Sequence, residues 1–343
     1  MLLSANVLQA QYIEPAEHKA EEAEHKPSIF QRLHNFLRDT ELKGLDTNYI
    51  GAPKRKWSAY LNTYTSDVAF RVKSKEIPEL GRIRISMHSK VQNQVSAGLF
   101  YYGYGASYSW SLIKGYNKDL SFTTYSSPVG GEIRYHTSKA ISGTISAQNL
   151  PTELKILRGD AKETTFILNT YYLFNRRKFS YGAAMSYSKI QKRSAGSPMA
   201  GLTLYQTRIT SYDPLLTSML GGIKRIKLRQ WGIGGGYAYN WVVMNSDEKN
   251  LLLHASLMPM ILFTAKSVAR SESGEWVVKE GTFGQKNNTT LTFMARGSVS
   301  YNWRERYLTG ISGFYNTFRV GSRNSYHAST DDWVVRVFFA VRF

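Results

Sequence analysis

The last eleven residues, Trp333 to Phe343, alternate strictly. Trp333, Val335, Val337, Phe339, Val341 and Phe343 fall on one face; Val334, Arg336, Phe338, Ala340 and Arg342 fall on the other. A period of two is the signature of a strand. One of its faces is wholly apolar, while the other accepts guanidinium groups. In water such a strand needs a packing partner along its full apolar side. In a bilayer, lipid takes that place, and about 9–11 tilted residues suffice to cross it. The chain ends on the aromatic itself, as the closing strand of an outer-membrane β-barrel does.

The same period runs through most of the chain from Trp57 onward. Tyr60, Tyr64, Val68, Phe70 and Val72 share a face opposite Asp67, Arg71 and Lys73. Ile83, Ile85 and Met87 oppose Arg82, Arg84 and His88. Phe100, Tyr102, Tyr104, Tyr108 and Trp110 share a face and read as one strand. Phe166, Leu168, Tyr172 and Phe174 read as another; a turn at Asn175–Lys178 then leads to an alternating run, Tyr181, Ala183, Met185 and Tyr187. Asn250 to Ala265 is the most apolar stretch. It falls short of the roughly 20 residues of a spanning helix and is interrupted by His254 and Pro259. As a strand it sorts cleanly, with Leu251, Leu253, Ala255 and Leu257 on one side and His254 and Ser256 on the other. Counting back from the C-terminal strand, connections near 321–331, 266–288 and 212–228 are long, and those at 304–306 and 244–249 are short. Long loops at one end and short turns at the other are expected of such barrels. The expectation is an all-β fold: a transmembrane antiparallel barrel of about 12 strands, with 10 to 14 compatible.

Ahead of the barrel, residues 1–11 read as a truncated signal peptide, with Leu2, Leu3, Val7 and Leu8 as its apolar part. Residues 12–56 are a periplasmic linker holding one short amphipathic helix. Ile29, Phe30, Leu33, Phe36 and Leu37 recur at helical spacing, Ser28 is placed to cap the start and Gly44 to stop the end. Residues 57–343 form the barrel. The place implied is the cell outer membrane.

Totals narrow the chemistry. With 0 Cys there is no disulfide, thiolate metal site or Cys nucleophile. The 7 His are scattered and present no zinc spacing, so neither metal nor cofactor is expected. The net charge of +19 is spread over turns and single strand faces. Nucleic-acid binding would concentrate it in one patch or module, and is not expected.

Three stretches, Asp46-Thr47-x-Tyr49-Ile50, Lys178-Phe179-Ser180 and Gln191-Lys192-Arg193-Ser194-Ala195-Gly196-Ser197, are similar to a known family. The chain resembles Bacteroidota outer-membrane proteins grouped as domain of unknown function 4421, over roughly residues 46–343. The resemblance implies a signal peptide, a barrel and an envelope location. It implies no activity and carries over no functional residue. Within it, Gly196 and Pro198 read as turn formers, and Lys192 and Arg193 as a strand end.

Four constellations can carry function. A His-x-Ser pair on one strand face suits acyl ester hydrolysis, because i and i+2 point the same way and His can take the Ser proton. His254-Ala255-Ser256 and His136-Thr137-Ser138 have this spacing. Both lie on the lumenal side, away from lipid, so the pair is the weaker reading and the balance is against an enzyme. Arg71, Arg82, Arg84, Arg134, Arg296, Arg336 and Arg342 are expected to face the lumen, with Asp67 and Glu132 as nearby acids. They suit either a small anion-favouring pore or an internal network of ion pairs in a structural barrel. Lys224, Arg225, Lys227 and Arg229 approach one outer surface together, where lipopolysaccharide phosphates are the fitting partner. Phe343 resembles the terminal aromatic read by the barrel assembly machinery. The leading function is a non-enzymatic outer-membrane barrel, passive pore or structural protein, embedded among outer-membrane lipids.

Overall fold

The computed structural model describes residues 28–343, apart from 78–80, 90–91, 113–116, 126–127, 150, 152, 158, 215–216, 218–221, 272–273, 283–289 and 322–326. The signal-peptide expectation lies outside these residues. In chain order the first elements are α1 (Ile29–Thr40), β1 (Ile50–Gly51), β2 (Trp57–Ile77), β3 (Gly81–His88), β4 (Gln92–Tyr101), β5 (Tyr104–Ser111), β6 (Asn117–Thr124), β7 (Val129–Ser138), β8 (Ser142–Ala147) and β9 (Leu154–Ile156). Then come β10 (Ala161–Leu173), α2 (Tyr181–Met185), β11 (Ile190–Gln191), β12 (Ala195–Ser211), β13 (Ile223–Asn245), β14 (Lys249–Ser271), β15 (Gly274–Thr282), β16 (Thr290–Trp303), β17 (Tyr307–Gly321) and β18 (His327–Arg342).

Strands β2, β4, β5, β6, β7, β10, β12, β13, β14, β16, β17 and β18 pair antiparallel in that order, and β18 returns to β2 over Arg342↔Ser58 to His327↔Lys73. That is a closed twelve-stranded barrel. Closure leaves no unpaired edge to hydrocarbon. On the outer face Leu61, Leu257, Val337 and Phe339 are each about half exposed, so the apolar stripe has no protein partner and meets lipid. Its height can be read from the aromatics that end it. Trp231 and Trp241, Phe293 and Trp303, and Trp333 and Phe343 bracket the stripe on β13, β16 and the C-terminal strand, each pair the same distance apart in sequence. At about 3.3 Å per residue and about 40° of tilt, that interval spans about 25 Å, the height of an outer-membrane apolar band. Ring pairs mark the lower girdle: Trp57–Tyr101 at 4.3 Å, Tyr239–Trp241 at 4.6 Å and Trp303–Tyr307 at 5.6 Å.

The two ends of the barrel differ. At the terminal end, where Phe343 N donates to Trp57 O, the turns are short except for residues 174–194, which contain α2 and β11. At the loop end β2 runs past β4 and pairs with β3. Strand β3 then pairs with β8, and β8 with β9, forming a small sheet on the barrel rim. Strand β15 pairs antiparallel with the loop-end part of β14, from Thr264↔Thr282 to Ser271↔Gly274. Residues 223–228 and 266–271 continue as strand where loops are expected, because paired β-structure extends beyond the apolar band and polar side chains suit it there.

Two expected strands are corrected. The run 100–110 is a hairpin: Tyr102 adopts φ 51 and Gly103 φ 95, turning the chain between β4 and β5. A Cβ on Gly103 would also meet Ser188 Oγ at 2.9 Å. The run 181–187 is not a wall strand: Tyr181–Met185 form helix α2, started by Ser180, whose hydroxyl accepts from Ala183 N at 3.2 Å. With that segment removed from the wall, the other terminal-end connections between wall strands are four residues or fewer. Gly196 and Pro198 do not turn the chain; both lie within β12, Gly196 opposite Tyr239.

The chain forms two compact units, one ending at Thr40 and one running from Glu41 to Phe343. In the first, α1 is capped as expected: Ser28 N donates to Gln31 Oε1 at 2.8 Å and Gln31 N to Ser28 Oγ at 3.2 Å. Gly44 takes φ 76 beyond the helix. Among the described residues no helix is long and apolar enough to cross a membrane.

Candidate functional site

The lumen is the candidate site, and it is filled at three levels. At the terminal end the 174–194 segment folds inward. Phe179 and Tyr181 are buried against Tyr171 and Leu173 of β10, Met199 of β12, and Met258 and Met260 of β14. Methionines pack well around an inserted segment because their unbranched chains adapt to irregular gaps. Ser298 Oγ donates to Ala184 O at 3.0 Å, and the Arg342 guanidinium donates to Glu305 O at 3.2 Å and to Tyr187 O. Gly182 is required by space: a Cβ there would lie 2.7 Å from Tyr125 O.

Gln191 is the centre of this plug. It is fully buried. Its amide nitrogen donates to Lys178 O at 2.7 Å and Arg193 O at 2.9 Å, and its amide oxygen accepts from Ser180 N at 3.0 Å and Asn240 Nδ2 at 3.1 Å. Asn250 Nδ2 donates to Gln191 O at 3.0 Å. The N-terminal approach to the barrel straps this assembly down. Strand β1 pairs with β11 through Ile50↔Gln191 and Gly51↔Ile190. Asp46 N donates to Arg177 O at 2.8 Å, and Lys192 N to Tyr49 O at 2.7 Å. Lys178 Nζ lies 5.0 Å and Arg193 5.9 Å from the centre of the Tyr49 ring, cations over an aromatic face. Glu41 joins the strap to the rim through Lys56 at 2.6 Å and to the plug through Lys189 at 3.3 Å. Burial pushes the Lys189 ammonium below its ordinary pKa, with Glu41 opposing that shift. All three motif stretches therefore meet in one place.

At mid-height the lumen is crossed by ion pairs. Arg134 on β7 donates to Asp119 on the neighbouring β6 at 2.6 Å and reaches Asp332 on β18, nearly opposite, at 3.3 Å. His136 Nδ1 is 3.4 Å from Asp119. Arg296 on β16 meets Glu132 on β7 at 2.9 Å and Tyr125 Oη at 3.4 Å. Arg336 lies over the rings of Tyr64 and Phe314, at 5.8 and 5.5 Å. At the loop end the filling is apolar. Phe70 from β2 meets Ala161 and Ile209 from the opposite wall, joined by Met87, Ile145 and Ile156 of the rim sheet.

The expected site residues divide accordingly. Arg134, Arg296, Arg336 and Arg342 face the lumen. Arg71 does not: it points outward and pairs with Asp331 at 2.6 Å. Asp67 shares that outward face. The face carrying Tyr60, Tyr64, Val68 and Phe70 turns inward instead, because a narrow, filled lumen takes aromatic rings as core. Arg82 and Arg84 are exposed on β3, which lies outside the barrel wall and turns its isoleucines inward. His254 and Ser256 face the lumen but bond elsewhere. His254 Nδ1 meets Asn240 Oδ1 at 2.7 Å, and Ser256 Oγ meets Tyr181 Oη at 3.2 Å. Ser138 Oγ accepts from Ala140 N at 3.1 Å. Arg225, Lys227 and Arg229 alternate on the outer face of β13, whereas Lys224 has the opposite parity. Phe343 is exposed at the terminal end. Among the described residues no cluster of His, Asp and Glu could hold a metal ion.

Sequence reasoning missed Asp119 and Asp332 as lumenal acids, although Asp332 shares the parity of Arg336. It also missed Gln191, Asn240 and Asn250 as the lattice that holds the plug. The only signal was that Gln191 begins the longest motif stretch.

Among solved structures, the chain is similar to the outer membrane protease OmpT from Escherichia coli, at 9% identity over 85% of this chain and 97% of that one, with a TM-score of 0.38. It is similar to the translocator domain of the autotransporter NalP from Neisseria meningitidis, at 12% identity over 91% and 97%, TM-score 0.35. The outer membrane protein OprG from Pseudomonas aeruginosa gives 11% identity over 85% and 99%, TM-score 0.31. Likenesses this distant say nothing of activity. No curated protein matches the chain. Residues 44–343, which include the strap, the plug and the whole wall, match one family, and the chain belongs to it: Domain of unknown function (DUF4421).

Proposed function

We propose that the protein is a non-enzymatic outer-membrane barrel whose lumen is closed at rest, with the terminal end in the periplasm. It serves as a structural envelope protein, or as a conduit only once the plug is withdrawn and the ion pairs and apolar cluster beyond it have parted. One observation carries this reading: the 174–194 segment enters the barrel and is tied there by the strap at 46–51. Ion pairs such as Arg134–Asp332 and Arg296–Glu132 consume the cations that an anion pore would present to solute. The hydrolase reading gains no support, because His254 and Ser256 bond to Asn240 and Tyr181 rather than to each other.

Planar-bilayer recording tests the reading. The unaltered protein is expected to give a flat baseline, and so is a variant with only its terminal-end closure loosened by Tyr49→Ala and Gln191→Leu, because the ion pairs and the apolar cluster still cross the lumen. Steady anion conductance by the unaltered protein would restore the passive pore. An altered phospholipid or lipid A profile that disappears in Ser256→Ala would restore the hydrolase.

A further inference from the structure

On the outer face of β12 and β13, at the loop end, four cations stand together. Arg208 of β12 is directly opposite Lys227 of β13. Arg225 and Arg229 lie two residues either side of Lys227 and so share its face. Like charges placed directly opposite across a pair of strands repel. Among the described residues no carboxylate pairs with Arg208, Arg225, Lys227 or Arg229 to relieve them. The Nε atoms of Arg208 and Arg225 are buried and bond to nothing. On the far side of β13, Arg225 is again opposite a cation, Arg270. A cluster arranged this way is complete only with an anion.

Its height identifies the anion. Arg229 sits 5.6 Å over the ring of Trp231. Trp231 ends the apolar stripe, which continues below as Ile233 on β13 and as Leu204 and Leu202 on β12. The cations therefore lie in the headgroup layer, directly above an acyl-chain surface on the same two strands. A soluble acidic peptide or a nucleic acid would use the charge and leave that surface idle. An amphiphile with phosphate above and acyl chains below uses both. Guanidinium forks match phosphate oxygens in pairs, which suits two arginines whose Nε donors are free.

We propose that Arg208, Arg225, Lys227 and Arg229 hold the phosphate groups of a phosphorylated glycolipid of the outer leaflet, of the lipid A class. The site is independent of the plug. It keeps three of the four residues singled out in the sequence, replaces Lys224 with Arg208, and shows why: Lys224 is on the other side of β13.

The test uses the full chain in detergent and native mass spectrometry. Three probes are offered: bisphosphorylated lipid A, the same lipid with its phosphates removed, and inorganic phosphate. The unaltered protein is expected to retain bisphosphorylated lipid A, and to bind the dephosphorylated lipid at least about tenfold more weakly. Replacing Arg208, Lys227 and Arg229 together by Gln should cause a similar loss, whereas Lys118→Gln, an outward cation on β6, should leave retention unchanged. Equal retention by the triple variant would overturn the proposal, and so would equal binding of the dephosphorylated lipid. Displacement of the lipid by equimolar inorganic phosphate would overturn the glycolipid assignment. The dephosphorylated comparison is made on the unaltered chain, so the proposal stays open to refutation even if the triple variant does not fold.

Discussion

At the terminal end the lumen is stopped by a hydrogen-bonded lattice around one buried amide; at the loop end it is stopped by apolar side chains contributed from opposite walls. The first arrangement is directional. Gln191 has particular partners at particular distances, and the strap at 46–51 must be present to complete them. The second depends on area and volume, and any set of apolar residues of similar size would serve. Between them lie ion pairs that reach across the barrel. The difference teaches which closure is suited to opening. A lattice whose hydrogen bonds can be exchanged for water can leave the lumen as a unit, whereas the apolar cluster is fixed to the wall by Phe70 and Ile209.

The largest expected effect belongs to neither end. Arg134→Met leaves Asp119 and Asp332 buried without their cation, a change that costs about 3–5 kcal/mol in comparable buried pairs. It should lower the urea midpoint of the whole barrel in detergent. Arg71→Met breaks an exposed pair of the same charge type and should cost under about 1 kcal/mol. Equal effects from the two would contradict the assignment of Arg134 to a sealed interior.

Gln191→Leu tests the lattice. It leaves buried backbone and amide groups without partners, and because water reaches a loosened plug and replaces some of those bonds, the net cost is about 1–3 kcal/mol. The loss should be local. Hydrogen exchange across 174–194 is expected to accelerate, while the heat-modifiable gel mobility of the barrel stays unchanged. The matching change at the loop end is Ile145→Ala, which removes buried volume at about 2–4 kcal/mol. It should accelerate exchange in the rim sheet and leave 174–194 protected. If either substitution loosened both ends together, the two closures would be one cooperative unit.

The smallest effect is a pH dependence. Lys189 is buried and its pKa is lowered below the ordinary 10.5, so the folded plug binds fewer protons than the released one as pH approaches that value from below. Plug stability should therefore rise with pH in that window. Exchange protection of residues 186–193, measured between neutral and mildly alkaline pH, should show this slope, and Lys189→Met should flatten it.

These contrasts also explain what the sequence made legible. The wall was readable because its physics is one-dimensional: lipid on one side fixes a period of two, and Trp333–Phe343 keeps in the structure the faces assigned from its alternation. The twelve-stranded closure followed from that period and from the turns. The plug was not readable, since Tyr181, Ala183 and Met185 alternate like a wall strand, and only the capping hydroxyl of Ser180 and the space around Gly182 make the segment a helix. Strand β2 was read inside out because an aromatic face suits either lipid or a filled lumen, and only the partner strands decide between them. The carboxylates that neutralise Arg134 come from β6 and β18, far apart in sequence. Local pattern gave each residue a face and gave none of them a partner.

Occupancy of the lumen by the plug is the central claim, and the absence of Cys from the chain makes a direct measurement possible. A single Cys at Ala184, fully buried in the plug, is compared with one at Ser246 in an exposed terminal-end turn, using a charged, membrane-impermeant thiol reagent. The account predicts rapid labelling at 246, no labelling at 184 from either side, and labelling at 184 from the periplasmic side once Tyr49→Ala and Gln191→Leu loosen the strap. Labelling at 184 as fast as at 246 with the strap intact would mean that the segment does not close the barrel.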